Sequence, residues 1–141
     1  MRQSADQQTR SNRRDFRKIR AWQLADELVL KVYAASSQFP REELYGLTSQ
    51  IRRAAVSVAA NIVEGANRQS RKEYLQFLYI SRGSLEELGY YIDLAHRLDF
   101  LTATQSDELK QRREETMKVL QGLIYAVGNE LRGDVSVNIA V

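Results

Sequence analysis

The chain has 141 residues, 43 % of them hydrophobic, with a net charge of +3 and no cysteine. That length suits one domain with its own core, and the missing thiol excludes disulfide scaffolds, thiolate metal sites and cysteine nucleophiles. No apolar run approaches the roughly 18 residues of a membrane span, and none follows the basic start as a secretory signal would, so a soluble cytoplasmic protein with no membrane partner is the default reading.

Residues 1–20 carry seven basic groups against two acidic ones, which leaves +5 there and −2 on the rest. Residues 1–15 lack apolar periodicity and read as a disordered basic arm, followed by a helical domain over 16–132 and a short tail over 133–141. With one proline and seven glycines, long stretches run uninterrupted. The first helix is predicted from Phe16 to about Ser37, with Ile19, Trp22, Leu24, Ala25, Leu28, Val29, Val32 and Tyr33 at helical spacing. Phe39-Pro40 ends it, because proline disfavours helical geometry in the preceding residue. Glu42 and Glu43 suit the first turn of a second helix that continues to about Glu64, with Gly65 as a left-handed stop. Ser70 with Glu73 matches a capping box at the head of a third helix over 71–98. Tyr74, Leu78, Ser81, Leu85, Leu88, Ile92 and Ala95 form its buried seam. Thr102 with Gln105 offers a second box, and the fourth helix buries Leu109, Met117, Leu120, Leu123, Ile124, Val127 and Leu131. Four long helices with short connections predict an all-α, antiparallel up-down-up-down bundle.

The second helix carries a chemically varied polar row, Gln50, Arg53, Ser57, Asn61 and Glu64, whose spacings of three and four put it on one face. If the second and third helices pack antiparallel about a turn near Arg68, equidistant residues meet, and the third helix has its own polar interruption at Ser84 and Glu87. An Arg53–Glu87 ion pair follows, with Gln50, Ser57 and Ser84 as hydrogen-bonding neighbours, within one subunit or between two. Ala54, Ala55, Ala59, Ala60 and Gly83 are expected to let the backbones approach.

The same stretch resembles one family. Phe39-Pro40, Glu43, Tyr45-Gly46-Leu47, Gln50, Arg53-Ala54, Asn61-Ile62, Glu64-Gly65, Arg68 and Gly83-Ser84 with Glu87-Leu88 match the pattern of four-helix bundle proteins related to those encoded by intervening sequences in 23S ribosomal RNA genes. The resemblance spans about residues 16–131; Val63 stands where alanine is usual, and the arm lies outside it. It implies a bundle that assembles into a ring-like homopentamer. The accessory proteins of diversity-generating retroelements look similar in architecture and engage nucleic acid and a reverse transcriptase through a basic surface.

Enzyme chemistry has little support. Asp93-x-x-His96 has the spacing of a di-iron helix, but such a centre takes two of these motifs and His96 is the single histidine. No nucleophile has an evident base and no glycine loop could cradle a phosphate, so no enzyme activity, cofactor or metal is expected. Basic residues at Arg52, Arg68, Arg71 and Lys72 are the candidate nucleic-acid contacts, giving salt-dependent, sequence-tolerant affinity for RNA or DNA. Tyr74, Tyr79, Tyr90 and Tyr91 could stack on bases or pack inside. The competing reading is a protein-interaction scaffold whose arm and ring face bind another polypeptide.

Overall fold

The structure, a computed structural model, describes residues 14–133, so most of the expected arm and tail lies outside the described residues. These residues form four α-helices and no strand: α1 (Arg20–Ser36), α2 (Leu47–Ala66), α3 (Arg71–Arg97) and α4 (Ala103–Leu131). Each helix packs on two neighbours, α1 on α2 and α4, α3 on α2 and α4, while neither diagonal pair touches. Arg53, Ser57 and Val58 of α2 meet Glu87, Ser84 and Ser81 of α3, and Glu27 and Lys31 of α1 meet Arg112 and Glu108 of α4. Within each pairing, residue numbers fall along one helix as they rise along the other. No described helix is long and apolar enough to cross a membrane.

Periodicity located the helices and missed some of their starts. Phe16–Lys18 is a 3-10 turn, Ile19 is extended, and α1 begins only at Arg20. Asp15 caps this turn: its carboxylate accepts the Arg17 N–H at 3.1 Å, one of the donors that a helical start leaves free. The turn folds the Phe16 ring edge-on against Trp22, centroids 5.0 Å apart. Glu42 and Glu43 likewise occupy a 3-10 turn, Arg41–Glu43, rather than the first turn of α2. Glu43 still serves that helix from outside, its carboxylate accepting the free Leu47 N–H at 3.0 Å.

Gly65 does not end α2. The helix runs through it to Ala66, and Gly65 is buried against α3, where an added Cβ would lie 2.9 Å from both Phe77 Cβ and Tyr74 Cδ1. Gly83, expected at a close approach, is exposed, with nothing within 4 Å of an added Cβ. Ala54, Ala55 and Ala59 are buried as expected, whereas Ala60 faces water.

Of the two predicted capping boxes, Thr102 and Gln105 close theirs in both directions, at 3.1 and 2.9 Å. At the head of α3 only the Ser70 half forms, its hydroxyl accepting the Glu73 N–H at 3.1 Å. After α3, Asp99 takes the left-handed position (φ 63°) that glycine usually fills. Phe100 N–H then closes on Ala95 O at 2.8 Å, and the Phe100 ring packs 5.7 Å from Phe39, tying the two connections at this end together.

The α3 seam is buried at every predicted position, and Ser81 donates to Val58 O at 2.7 Å across the core. On α4 the expected positions from Leu109 to Val127 are buried, but Leu131 is 47 % exposed. Arg71, the first residue of α3, pairs with Glu130, so no part of α3 continues past that point to cover Leu131.

Candidate functional site

The polar row of α2 faces α3 of the same chain. Arg53 pairs through Nη2 with Glu87 and donates from Nε to Gln50 Oε1 at 3.0 Å. Ser57 and Ser84 hydroxyls lie 2.7 Å apart, and Asn61 Nδ2 donates to Ser57 O and Oγ at 2.8 and 3.0 Å. The sequence reading missed Tyr91, whose hydroxyl donates to Glu87 Oε1 at 2.7 Å; its position four residues after Glu87 was the available signal. Glu64 leaves the row and binds Arg68 instead, at 2.6 Å. Hydrogen bonds from Tyr91 and then Arg53 hold the Glu87 carboxyl below its ordinary range; bonding to Glu87 raises the Arg53 guanidinium and the Tyr91 phenol.

The Arg53 and Glu87 side chains are 50 % and 39 % exposed, so water screens the pair. Arg53→Ala and Glu87→Ala are therefore each expected to cost little, with a coupling of about 0.2–1 kcal/mol in a double-mutant cycle read by urea unfolding. Because the Glu87 pKa is depressed, this coupling is present at neutral pH and disappears as pH falls through the carboxyl range. Additive effects at neutral pH would remove the pair from the account of α2–α3 specificity.

The four basic candidates do not form one surface. Arg68, Arg71 and Lys72 sit at the α2–α3 turn. Arg68 is engaged by Glu64 and lies 4.9 Å over the Phe77 ring, and Arg71 pairs with Glu130 of α4. Lys72 is exposed, with no ionic partner among the described residues. Arg14, which the sequence had assigned to the arm, joins this end. Its Nη1 donates to Arg68 O at 3.0 Å and its guanidinium covers the Tyr74 ring at 4.4 Å, where burial lowers its pKa. Beneath it the Tyr74 hydroxyl is buried without a hydrogen-bond partner among the described residues, and that burial pushes its pKa up to about 12.

Arg52 lies at the other end of α2. Its Nε donates to Ser36 Oγ at 2.8 Å and its guanidinium stacks 4.7 Å over the Tyr33 ring, with no carboxylate paired to it among the described residues. It borders a shallow groove of about 480 Å³ between the C-terminal part of α1 and the start of α2, where Tyr33, Leu44, Tyr45, Thr48 and Val56 also line the wall. Of the tyrosines considered for stacking, Tyr74 is core, Tyr91 is tied to Glu87, Tyr79 lies under Arg82 at 5.0 Å, and Tyr90 is exposed beside Tyr91. Asp93, the carboxylate of the di-iron spacing, is taken by Arg97 at 3.0 Å and Lys110 at 3.8 Å.

The family model of 23S rRNA-intervening sequence proteins matches residues 17–122. The chain belongs to that family. A solved structure from Bacteroides thetaiotaomicron, described as a protein with unknown function from the S23 ribosomal protein family, has a similar fold. Its TM-score is 0.69 at 24 % identity, over 74 % of this chain and 97 % of that one. No curated protein matches. In this 23S rRNA-intervening sequence family member, the matched span holds the polar network, the Arg52 groove and the turn from Arg68 to Lys72. It omits Arg14 and Glu130, the two residues that cover Tyr74 and neutralise Arg71.

Proposed function

We propose that this chain is a non-enzymatic, oligomeric four-helix bundle protein of the cytoplasm that associates with RNA or another nucleic acid through basic surface residues. Its helices run antiparallel in up-down-up-down order, and its copies close into a ring-shaped homopentamer. The opposed registers of α2 with α3 and of α1 with α4 support that order. Assembly is supported by Val56, Ile80 and Tyr90, apolar side chains left in water on the outer α2 and α3 surfaces. The non-enzymatic reading is supported by the polar row, whose hydroxyls bond one another and whose carboxylate is matched to an arginine.

The observation that carries nucleic-acid association is Arg52, an arginine ordered by a hydroxyl and an aromatic ring, matched to no carboxylate among the described residues and available to a phosphate. Lys72 adds a second unmatched cation at the far end of α2. The engagement of Arg68 and Arg71 by Glu64 and Glu130 favours a second reading, a protein-interaction scaffold. Purification at low and at high salt separates the two. Nucleic acid that travels with the protein and is shed as salt rises is the expected result; a nucleic-acid-free, salt-indifferent complex with another polypeptide would overturn it. Native mass spectrometry at micromolar concentration is expected to give a five-copy mass, and a monomer there would end the ring assignment.

A further inference from the structure

We propose that the groove between the C-terminal part of α1 and the start of α2 is a stacking site for unpaired bases of a single-stranded nucleic acid, with Tyr45 as the platform and Arg52 as the phosphate contact. The inference rests on the nucleic-acid reading above and adds a base-stacking platform to its Arg52 contact. Arg68 and Arg71 spend their charge on Glu64 and Glu130, whereas Arg52 is held on two sides, by Ser36 Oγ at 2.8 Å and the Tyr33 ring at 4.7 Å. Among the described residues its two terminal nitrogens meet no acceptor. A guanidinium ordered in this way loses little freedom on meeting a phosphate.

Tyr45 supplies the second half. It is 93 % exposed, the most exposed large hydrophobic side chain among the described residues, and no ring or cation of the described chain covers either of its faces. Such a phenol is open on both faces to a flat partner, and every base has a π-face. The groove of about 480 Å³ has the size of a small-ligand site, and of the two arginines that line it Arg53 is paired with Glu87 while Arg52 is not ion-paired among the described residues. An acidic peptide would use the cation without needing the bare ring, and a duplex hides its base faces in its own stack. Unpaired, phosphate-linked bases use both features.

The full chain is titrated with a fluorescein-labelled RNA dodecamer as single strand and as duplex, reading anisotropy, at one low salt concentration for the Tyr45 comparisons and over a salt series for Arg52→Ala. The wild type is expected to prefer the single strand. Tyr45→Ala weakens single-strand binding roughly 5- to 150-fold while duplex binding hardly changes, and Tyr45→Phe, which keeps the ring, binds like the wild type. Arg52→Ala weakens binding and flattens its logarithmic salt dependence by about 0.7. Wild-type binding that is indifferent to Tyr45→Ala overturns the groove and leaves the nucleic-acid reading standing. No binding of either RNA by the wild type overturns both. A loss of native mass in Tyr45→Ala makes the groove a contact between copies, and Tyr45-dependent capture of a labelled glutamate-rich peptide in place of RNA makes the partner acidic protein; either outcome overturns the proposal.

Discussion

Gly65→Ala is expected to lower the unfolding free energy by about 1–2 kcal/mol. Overpacking costs about 1–3 kcal/mol, against up to about 1 kcal/mol recovered because alanine is the better helix former. Steric loss wins because of what the new methyl meets. At 2.9 Å from Phe77 Cβ and 3.3 Å from Tyr74 O, it strikes atoms fixed to the α3 backbone, so the two helices must separate rather than one side chain rotate. Gly83→Ala is the matched control with the opposite sign. Its methyl enters open space on the exposed face of α3, and the propensity gain of about 0.5–1 kcal/mol stands alone. Urea unfolding at one protein concentration reads both, since self-association makes apparent stability depend on concentration. A stabilised Gly65→Ala would mean that the α2–α3 approach is looser than described.

Tyr74→Phe is expected to stabilise the protein by about 1–3 kcal/mol at neutral pH, because it deletes a buried hydroxyl that has no partner while keeping the ring that fills the core. The ring also keeps its place beneath the Arg14 guanidinium, whose attraction to an aromatic face does not need the hydroxyl. The two proteins should diverge further in alkali. Burial holds the phenol protonated to about pH 12, whereas in the unfolded chain it ionises near the ordinary value of 10.0. Below 10.0 both states are neutral and the term is constant. As pH rises through the window between those values the unfolded state releases a proton that the folded state keeps, so wild-type stability falls. Tyr74→Phe lacks this slope, and denaturant unfolding on either side of pH 10 reads the difference. Parallel profiles for the two proteins would show that Tyr74 is not the group responsible.

How much was legible in the chain depended on range. The α3 seam from Tyr74 to Ala95 could be placed residue by residue, because a helix face is set by spacings of three and four. The Thr102–Gln105 box was readable for the same reason: both bonds join residues three apart. The Arg53–Glu87 and Ser57–Ser84 contacts were within reach because a short connection makes residues equidistant from it meet. Where helices start was harder: periodicity runs on from Phe16, but the extended Ile19 separates the Phe16–Lys18 turn from the true start at Arg20.

The candidate interface was the least legible part. In the sequence, Arg52, Arg68, Arg71 and Lys72 are equivalent cations. Which of them keeps its charge for a partner depends on carboxylates brought from elsewhere, and Glu130 lies 59 residues from Arg71. Long side chains choose among several neighbours, and only the packed bundle decides who those are.

The all-α class, the four helices and their buried faces follow from periodicity and caps over spans of a few residues, and so are written in the chain. The tertiary structure alone decided that Gly65 is a packing contact and Gly83 open surface, that Arg14 covers Tyr74, and that Arg52 keeps its charge beside a bare Tyr45. Each of these depends on which distant residues the helices bring within a few ångströms, a property of the packed chain that no local spacing encodes.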